Sequence, residues 1–107
     1  MTPTIRERLL RAAAIMRERG MAKLSFEDAD KRVCMSRAMT LACIDEDAEW
    51  HQEELNAMDR IGVRCAVVKA LRDSGARNED PMLWNDIEAR NAEEVARMFE
   101  RAAEGVS

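Results

Sequence analysis

Apolar residues recur at intervals of three and four along much of the chain, which is the spacing of helices with one buried face. The first such stripe consists of Ile5, Leu9, Ala12, Ala13 and Met16. Thr4 and Glu7 have the spacing of a capping box, in which each side chain accepts a hydrogen bond from the other residue's backbone N–H. Gly20 suits the turn that ends a helix. The pattern predicts an amphipathic helix between Thr4 and Gly20.

The next apolar segment predicts a second helix of small and medium side chains, which another helix can approach closely. Its members are Val33, Cys34, Met35, Ala38, Leu41 and Ala42. The stretch before it, residues 21–32, is less regular. Ser25 to Asp28 fits either a second capping box or a loop, and we expect Phe26 to dock onto the core there.

The middle of the chain contains two further apolar stripes. The first follows an acidic stretch, whose negative charge suits the positive N-terminal end of a helix. Trp50, Leu55 and Met58 are expected to lie on one side of this predicted helix. The second consists of Val63, Ala66, Val67, Ala70 and Leu71, and Gly75 follows it. Because a glycine inside a helix costs about 1 kcal/mol, we expect a break or bend near Gly62. One uninterrupted helix is the alternative.

The C-terminal third has the clearest local pattern. A loop with Trp84, Asn85 and Asp86 precedes Asn91, a good N-cap residue, and Glu94 stands at the third helical position. An apolar stripe of Val95, Met98, Phe99 and Ala102 follows. No strand pattern longer than a few residues occurs. The sequence predicts an all-α fold, a compact bundle of about four to five short helices in a single domain over residues 1–107.

Composition and charge mainly exclude classes of protein. The chain has 107 residues, of which 47% are hydrophobic and 36% charged, as in folded rather than disordered proteins. A formal net charge of −4 argues against non-specific nucleic-acid binding, which needs a basic surface. No apolar run approaches the roughly 20 residues of a membrane span, and the N-terminus lacks the apolar core of a signal peptide. We therefore expect a cytoplasmic protein without membrane contact.

The three cysteines, Cys34, Cys43 and Cys65, form no recognisable framework. Their number is odd, and no CxxC or Cys/His cluster is present, so neither a disulfide scaffold nor a zinc site is indicated. Each lies among apolar or alanine neighbours. We expect all three to be reduced and buried as small apolar residues.

Chemistry-bearing motifs are absent: there is no phosphate-binding glycine loop, nucleophile elbow or HExxH zinc motif. With a single histidine, His51, and no tyrosine, the sequence predicts no catalytic, cofactor-binding or metal-binding residues, and hence no enzyme. His51, Glu54 and the acidic run Asp45 to Glu49 leave a small metal-dependent enzyme as an alternative. The run lacks the alternating oxygen ligands and glycine of a calcium loop, so a solvated helix start is the favoured interpretation.

The string Trp84-Asn85-Asp86 is the most distinctive in the chain. It is either a recognition loop, with a large rigid ring and polar contacts, or a structural turn. In the structural interpretation, which we favour, Trp84 fills the core while Asn85 and Asp86 hydrogen-bond nearby backbone. The candidate interaction or structural residues are Trp84, Asn85, Asp86, Arg90, Trp50 and His51.

Three segments together resemble a known family. They are Thr4 to Ala14, the Arg32-Val33-Cys34-Met35 segment with Ala38, and Trp84-Asn85-Asp86 followed by Arg90-Asn91 and Glu94-Val95. The chain is similar to small proteins that are widespread in actinobacteria and their phages and are named only as a domain of unknown function. Two positions depart from that pattern: Arg37 stands where the family has glycine, and Asn91 where it has threonine. The resemblance implies a source and a helical fold, without a mechanism.

The leading functional hypothesis is a small non-enzymatic accessory protein, encoded by a phage or an actinobacterium, that binds a host protein or a second copy of itself. Its size, its acidity, the missing motifs and eight methionines, which give adaptable surfaces, favour this. One alternative is a helix-turn-helix DNA-binding regulator. Its basic face would consist of Arg60, Arg64, Arg72 and Arg77.

Overall fold

The structure is a computed structural model that describes residues 3–44 and 50–106, with side chains for all of these except residues 50–55. Its helices are α1 (Ile5–Arg19), α2 (Met35–Ala42), α3 (Trp50–Asp73), α4 (Pro81–Leu83) and α5 (Ala92–Glu104), and a π-helical turn, Trp84–Glu88, continues α4. These elements confirm the predicted all-α fold. The Cα radius of gyration, 13.0 Å, matches the roughly 13 Å expected of one compact body of this length.

Helices α1 and α5 form the most extensive helix pair. Each begins at its predicted cap: the Thr4 hydroxyl oxygen accepts the Glu7 N–H at 3.1 Å, and Asn91 Oδ1 accepts the Glu94 N–H at 2.9 Å. Full burial of a side chain such as Phe99 contributes about 1.5–3 kcal/mol. Apolar contact is therefore the main stabilisation of this pair. The buried members are Leu9, Ala12, Ala13 and Met16 on α1 and Val95, Met98, Phe99 and Ala102 on α5.

Arg17 joins α1 to α5 at the surface. Its guanidinium donates hydrogen bonds of 2.8–3.0 Å to the carboxylates of Glu93 and Glu100. These bonds hold the pKa of both carboxyl groups below its usual range. Because the three side chains are half-exposed, water screens the pairs and their contribution to stability is small.

Arg8, in contrast, is a fully buried charge within α1. It donates hydrogen bonds to Asp59 Oδ2 at 3.2 Å, to Asn56 Oδ1 at 2.9 Å and to the Ala42 carbonyl oxygen at 3.2 Å. A buried charge is tolerated only when it is paired and hydrogen-bonded. Arg8 thereby ties α1 to the end of α2 and to α3. Sequence patterns gave it no role, although it lies four residues before the buried Ala12.

Between α1 and α2 the chain forms a loop. Val33 lies between two short backbone pairings, with Met21 on one side and Glu27 on the other. These pairings keep the segment extended, so the capping-box alternative for residues 25–28 is wrong and the loop alternative is confirmed. α2 then begins after Cys34, whose Sγ accepts the Arg37 N–H at 3.4 Å.

The expectation that Phe26 docks onto the core is also wrong, since its side chain is 57% exposed. Its carbonyl oxygen accepts the Cys34 N–H at 3.0 Å, which fixes Phe26 in the loop's extended pairing. Val33, on the middle of the three paired segments, is fully buried. The core position under the loop is therefore taken by Val33, and the Phe26 ring lies outside it.

α3 runs through Gly62 without interruption, so the predicted break is wrong. A Cβ atom at Gly62 would lie 3.0 Å from Ile5 Cδ1. The glycine therefore permits close contact with α1, and this contact offsets its helical cost. Met58, which the pattern places on the apolar side of this helix, is exposed, because Asn56 and Asp59 occupy the inner side of that turn with Arg8. The side chains of Trp50 and Leu55 lie outside the described residues.

The cysteines divide into two groups. Cys34 and Cys43 are buried as expected, but Cys65 is exposed, so that expectation is wrong for Cys65. Cys65 lies midway along α3 between Val63 and Val67, which are both fully buried. A displacement of two residues turns a helical side chain through about 200°, which directs Cys65 away from the core.

Candidate protein-interaction site

The Trp84-Asn85-Asp86 string is part of a short helix, and its prediction as a loop is wrong. Asp80 begins the helix: its Oδ1 accepts the Met82 N–H at 2.9 Å, and Pro81 follows at the first helical position, where no N–H is needed. The Ala89 N–H then bonds the Trp84 carbonyl oxygen at 2.8 Å, five residues back, which closes a π-helical turn. π-Helical turns are rare overall, and those that occur often lie at functional sites.

Two successive side chains of this turn point inward. Trp84 is buried in the main core cluster, as the structural interpretation predicted, and Asn85 beside it is fully buried. A buried amide must find hydrogen-bond partners or destabilise the fold. The position of Asn85 is therefore set by its partners.

Asn85 bonds backbone groups that are distant in sequence. Its Oδ1 accepts the Met35 N–H at 3.1 Å, and its Nδ2 donates to the Ala22 carbonyl oxygen at 2.9 Å. The Met35 N–H belongs to the first residue of α2, where the helix itself offers it no acceptor. One side chain thus joins the π-helical turn to the first residues of the loop between α1 and α2 and to the start of α2. Asn85 was predicted to bond backbone groups near it in the sequence; this is wrong, because its backbone partners lie 50 and 63 residues away.

Asp86 continues this attachment at the surface. Its Oδ1 accepts the Leu24 N–H at 2.9 Å and the Asn85 Nδ2–H at 3.0 Å. Leu24 has φ of +62°, a left-handed conformation that residues other than glycine rarely adopt. The Lys23 ammonium nearby donates to the Ala89 carbonyl oxygen at 2.6 Å. These bonds hold Leu24 in a strained conformation with 85% of its surface exposed.

The loop and the helical turn enclose a groove of about 280 Å³, called the apolar groove below. It is lined by Leu24, Ser25, Phe26, Cys34, Met82 and Asp86. Leu83 and Ile87, the sequence neighbours of Met82 and Asp86, are also exposed; Ile87 is 66% exposed. Burial raises the pKa of the Cys34 thiol, despite the opposing hydrogen bond from the Arg37 N–H. The thiol therefore stays protonated near neutral pH and adds no charge beneath the groove.

The remaining candidate residues are not brought to this groove by any described contact. Arg90 is 87% exposed and pairs only loosely with Glu94, at 3.6 Å. Trp50 and His51 begin α3, but their side chains lie outside the described residues, as do Glu54 and the acidic run at residues 45–49. The motif Trp84-Asn85-Asp86 is therefore the part of the candidate set that the structure places together.

The arginines considered for a basic face are mixed with acidic groups. Arg64 lies 3.3 Å from an Asp80 carboxylate oxygen, and Arg72 lies 3.1 Å from one of Glu79. The Arg77 N–H bonds the Glu88 carboxylate, which lowers the pKa of that carboxyl group. These pairs interrupt the uniform positive surface that phosphate binding favours.

Sequence patterns missed Lys23, Leu24 and Ile87. Leu24 and Ile87 are large apolar residues among polar neighbours, and that isolation was the available signal. It does not show that two positions 63 residues apart along the chain come near each other; the bond between the Leu24 N–H and Asp86, the residue before Ile87, shows this. Lys23 gave no signal, since its partners are backbone carbonyl oxygens.

Among the residues that the structure describes, no three His, Cys, Asp or Glu side chains are arranged to hold a metal ion. Among residues 3–44 and 50–106, no helix has both the length and the hydropathy that crossing a membrane requires.

Comparison with known proteins gives one finding. Neither the curated proteins nor the solved structures contain a match to this chain. A family model described as "Family of unknown function (DUF6197)" matches residues 1–105. Because this match covers nearly the whole sequence, the chain belongs to the family of unknown function DUF6197.

Proposed function

We propose that this chain is a small non-enzymatic accessory protein that binds a protein partner through the apolar groove and the adjacent Leu83 and Ile87. The observation that carries the proposal is the exposure of three large apolar side chains in the lining of one groove, Leu24, Phe26 and Met82. Leu83 and Ile87, next to Met82 and Asp86 in the sequence, are exposed as well. At the usual areas of these residues, the three in the groove leave roughly 350 Å² of surface in water, which is within the range of the largest apolar patch on a monomeric protein, and such patches are often functional.

The surface is also pre-organised. Asn85 and Asp86 fix the backbone of Leu24 and the start of α2 against the helical turn. A binding surface that is rigid before association loses less conformational entropy on binding. Leu24 keeps a left-handed conformation while its side chain contributes little to the core. Strain of this kind is characteristic of functional positions.

We also propose that the chain comes from an actinobacterium or one of its phages. The resemblance of residues 84–95 to proteins of actinobacteria and their phages supports such a source, with action in the cytoplasm of the cell or of the phage's host. No observation among the described residues favours the DNA-binding or metal-dependent alternatives.

Site-specific photocrosslinking in the native host tests the proposal. A photoreactive phenylalanine derivative replaces Ile87 in one variant and Ile61 in a matched control; both side chains are 66% exposed, and Ile61 lies on α3. We expect a discrete crosslinked protein from position 87 that is absent from position 61. The crosslink should disappear when Leu24→Ser is added, provided that thermal unfolding shows the chain still folded.

Identical products from both positions, or none at position 87, would contradict the proposal. A product of twice the chain's mass, from position 87 alone, would identify the partner as a second copy and overturn the assignment of a separate protein.

A further inference from the structure

We infer that the segment bound in the apolar groove is cationic and amphipathic, with a bulky apolar side chain that enters the groove next to a Lys or Arg that meets Asp86. This inference rests on the proposed function, since it names the chemistry of the partner at the same site. It follows from where the charged groups around the groove lie and what they already bond.

Asp86 is the charged side chain in the lining of the groove. Its Oδ1 is held by the Leu24 N–H and the Asn85 amide, so the carboxylate has a fixed position at the edge of an apolar surface. Among residues 3–44 and 56–106, no basic side chain forms a salt bridge with it. A carboxylate that is partly removed from water and has no ion partner attracts a cation more strongly than a fully exposed one does.

Three basic residues lie near this motif or beside the groove, and each has another partner. Arg37, which lines a neighbouring pocket with Phe26, lies 4.0 Å from a Glu27 carboxylate oxygen. Lys23 donates to the carbonyl oxygens of Ala89 and Asp86, at the C-terminal end of the π-helical turn, where a positive charge is favoured. Arg90 lies beside Glu94. None of these side chains forms a salt bridge with the Asp86 carboxylate, so a cation of the partner can pair with it.

The charge of the whole chain points the same way. A net charge of −4 attracts a cationic segment and speeds its approach. The same charge disfavours a second copy as the occupant, because a symmetric pairing of two grooves brings the two Asp86 carboxylates toward each other. A separate cationic partner fits the groove better than self-association does.

Selection from a random-peptide display library against the folded full chain tests this chemistry. We expect the selected peptides to share a bulky apolar residue next to Lys or Arg. Synthetic copies should then be measured against four chains: the unchanged protein, Asp86→Asn, Glu104→Gln and the double variant Leu24→Ser with Ile87→Ser. Asp86→Asn keeps an oxygen to accept the Leu24 N–H, so it removes the charge with little change in the fold.

We expect Asp86→Asn to weaken binding about 5- to 20-fold, as for a partly desolvated ion pair. Glu104→Gln, an exposed carboxylate on the last turn of α5, should change binding less than 2-fold. The double variant should lose binding. Peptides that depend on Leu24 and Ile87 but carry no basic residue, or that ignore Asp86→Asn, would overturn this inference and leave the proposed function standing. Peptides indifferent to the double variant, or none selected, would overturn both.

Discussion

The α1–α5 pair and the apolar groove region use apolar and polar groups in opposite ways. The helix pair buries its apolar stripes and leaves its charged residues, such as Arg17 and Glu93, at the surface. The groove region buries an amide, Asn85, and leaves Leu24 and Ile87 in water. Burial of apolar surface is the main source of stability, so the first arrangement is what folding alone favours. The second gains less from folding and presents a surface that association can cover.

Trp84→Ala should have the largest effect, because Trp84 is where the groove region is attached to the shared core. Loss of a buried tryptophan side chain should lower the free energy of unfolding by about 3–5 kcal/mol. Urea denaturation of the purified variant measures this. A loss below about 1 kcal/mol, well under the usual range, would contradict the core role of Trp84.

The next effect compares two asparagines that both bond backbone N–H groups. Asn85→Ala leaves the buried Met35 N–H and Ala22 carbonyl oxygen without this partner and should cost about 2–4 kcal/mol. Asn91→Ala, at the exposed cap of α5, should cost about 1 kcal/mol, since water replaces the lost bond. Denaturation of the two variants side by side measures both costs. Equal costs would show that burial is not what makes the groove attachment strong.

The two regions also differ in how far the sequence could predict them. The caps of α1 and α5 lie three residues from their partners, so Thr4, Glu7 and Asn91 could be identified from local spacing alone. The partners of Asn85 lie 50 and 63 residues away and are backbone groups, which every residue carries. No pattern distinguishes Ala22 or Met35 as those partners, so the groove could not be foreseen.

Other differences arose where a tertiary contact outweighed a local rule. Gly62 reads as a helix breaker until its contact with Ile5 is known. Arg8 reads as a surface arginine until Asn56 and Asp59 are found beside it in α3. In both cases the deciding partner lies on another helix. Helix periodicity therefore predicted most elements of the fold but not the polar contacts that join them.

A smaller change of opposite sign is expected at Leu24. Leu24→Gly removes the left-handed strain, worth about 1–2 kcal/mol. It also makes the unfolded chain more flexible, which lowers the free energy of unfolding by about 0.5–1 kcal/mol. The net change should lie between zero and a gain of about 1.5 kcal/mol, while binding at the groove is lost. Thermal unfolding together with the position-87 crosslink measures both. A clear loss of stability would mean that Leu24 belongs to the core in solution.

The smallest effect concerns pH and the α1–α5 surface. The folded-state pKa values of Glu93 and Glu100 lie below the ordinary value of 4.5 because of their bonds to Arg17. Their pairing therefore adds stability above that pH and loses it as the pH falls below. Arg17→Met should be slightly less stable than the unchanged chain near neutral pH, and the difference should shrink in acid. Melting temperatures across this range measure it; a difference that grows in acid has the wrong sign.

Amide hydrogen exchange at Met35 tests the central claim most directly, namely that Asn85 holds the start of α2 against the helical turn and so builds the groove. The Met35 N–H has no acceptor within its own helix, so its protection depends on Asn85 Oδ1. We predict slow exchange at Met35 in the unchanged protein and fast exchange in Asn85→Ala, while Phe99 in α5 stays protected in both. Fast exchange at Met35 in the unchanged protein, or slow exchange that persists in Asn85→Ala, would contradict the account.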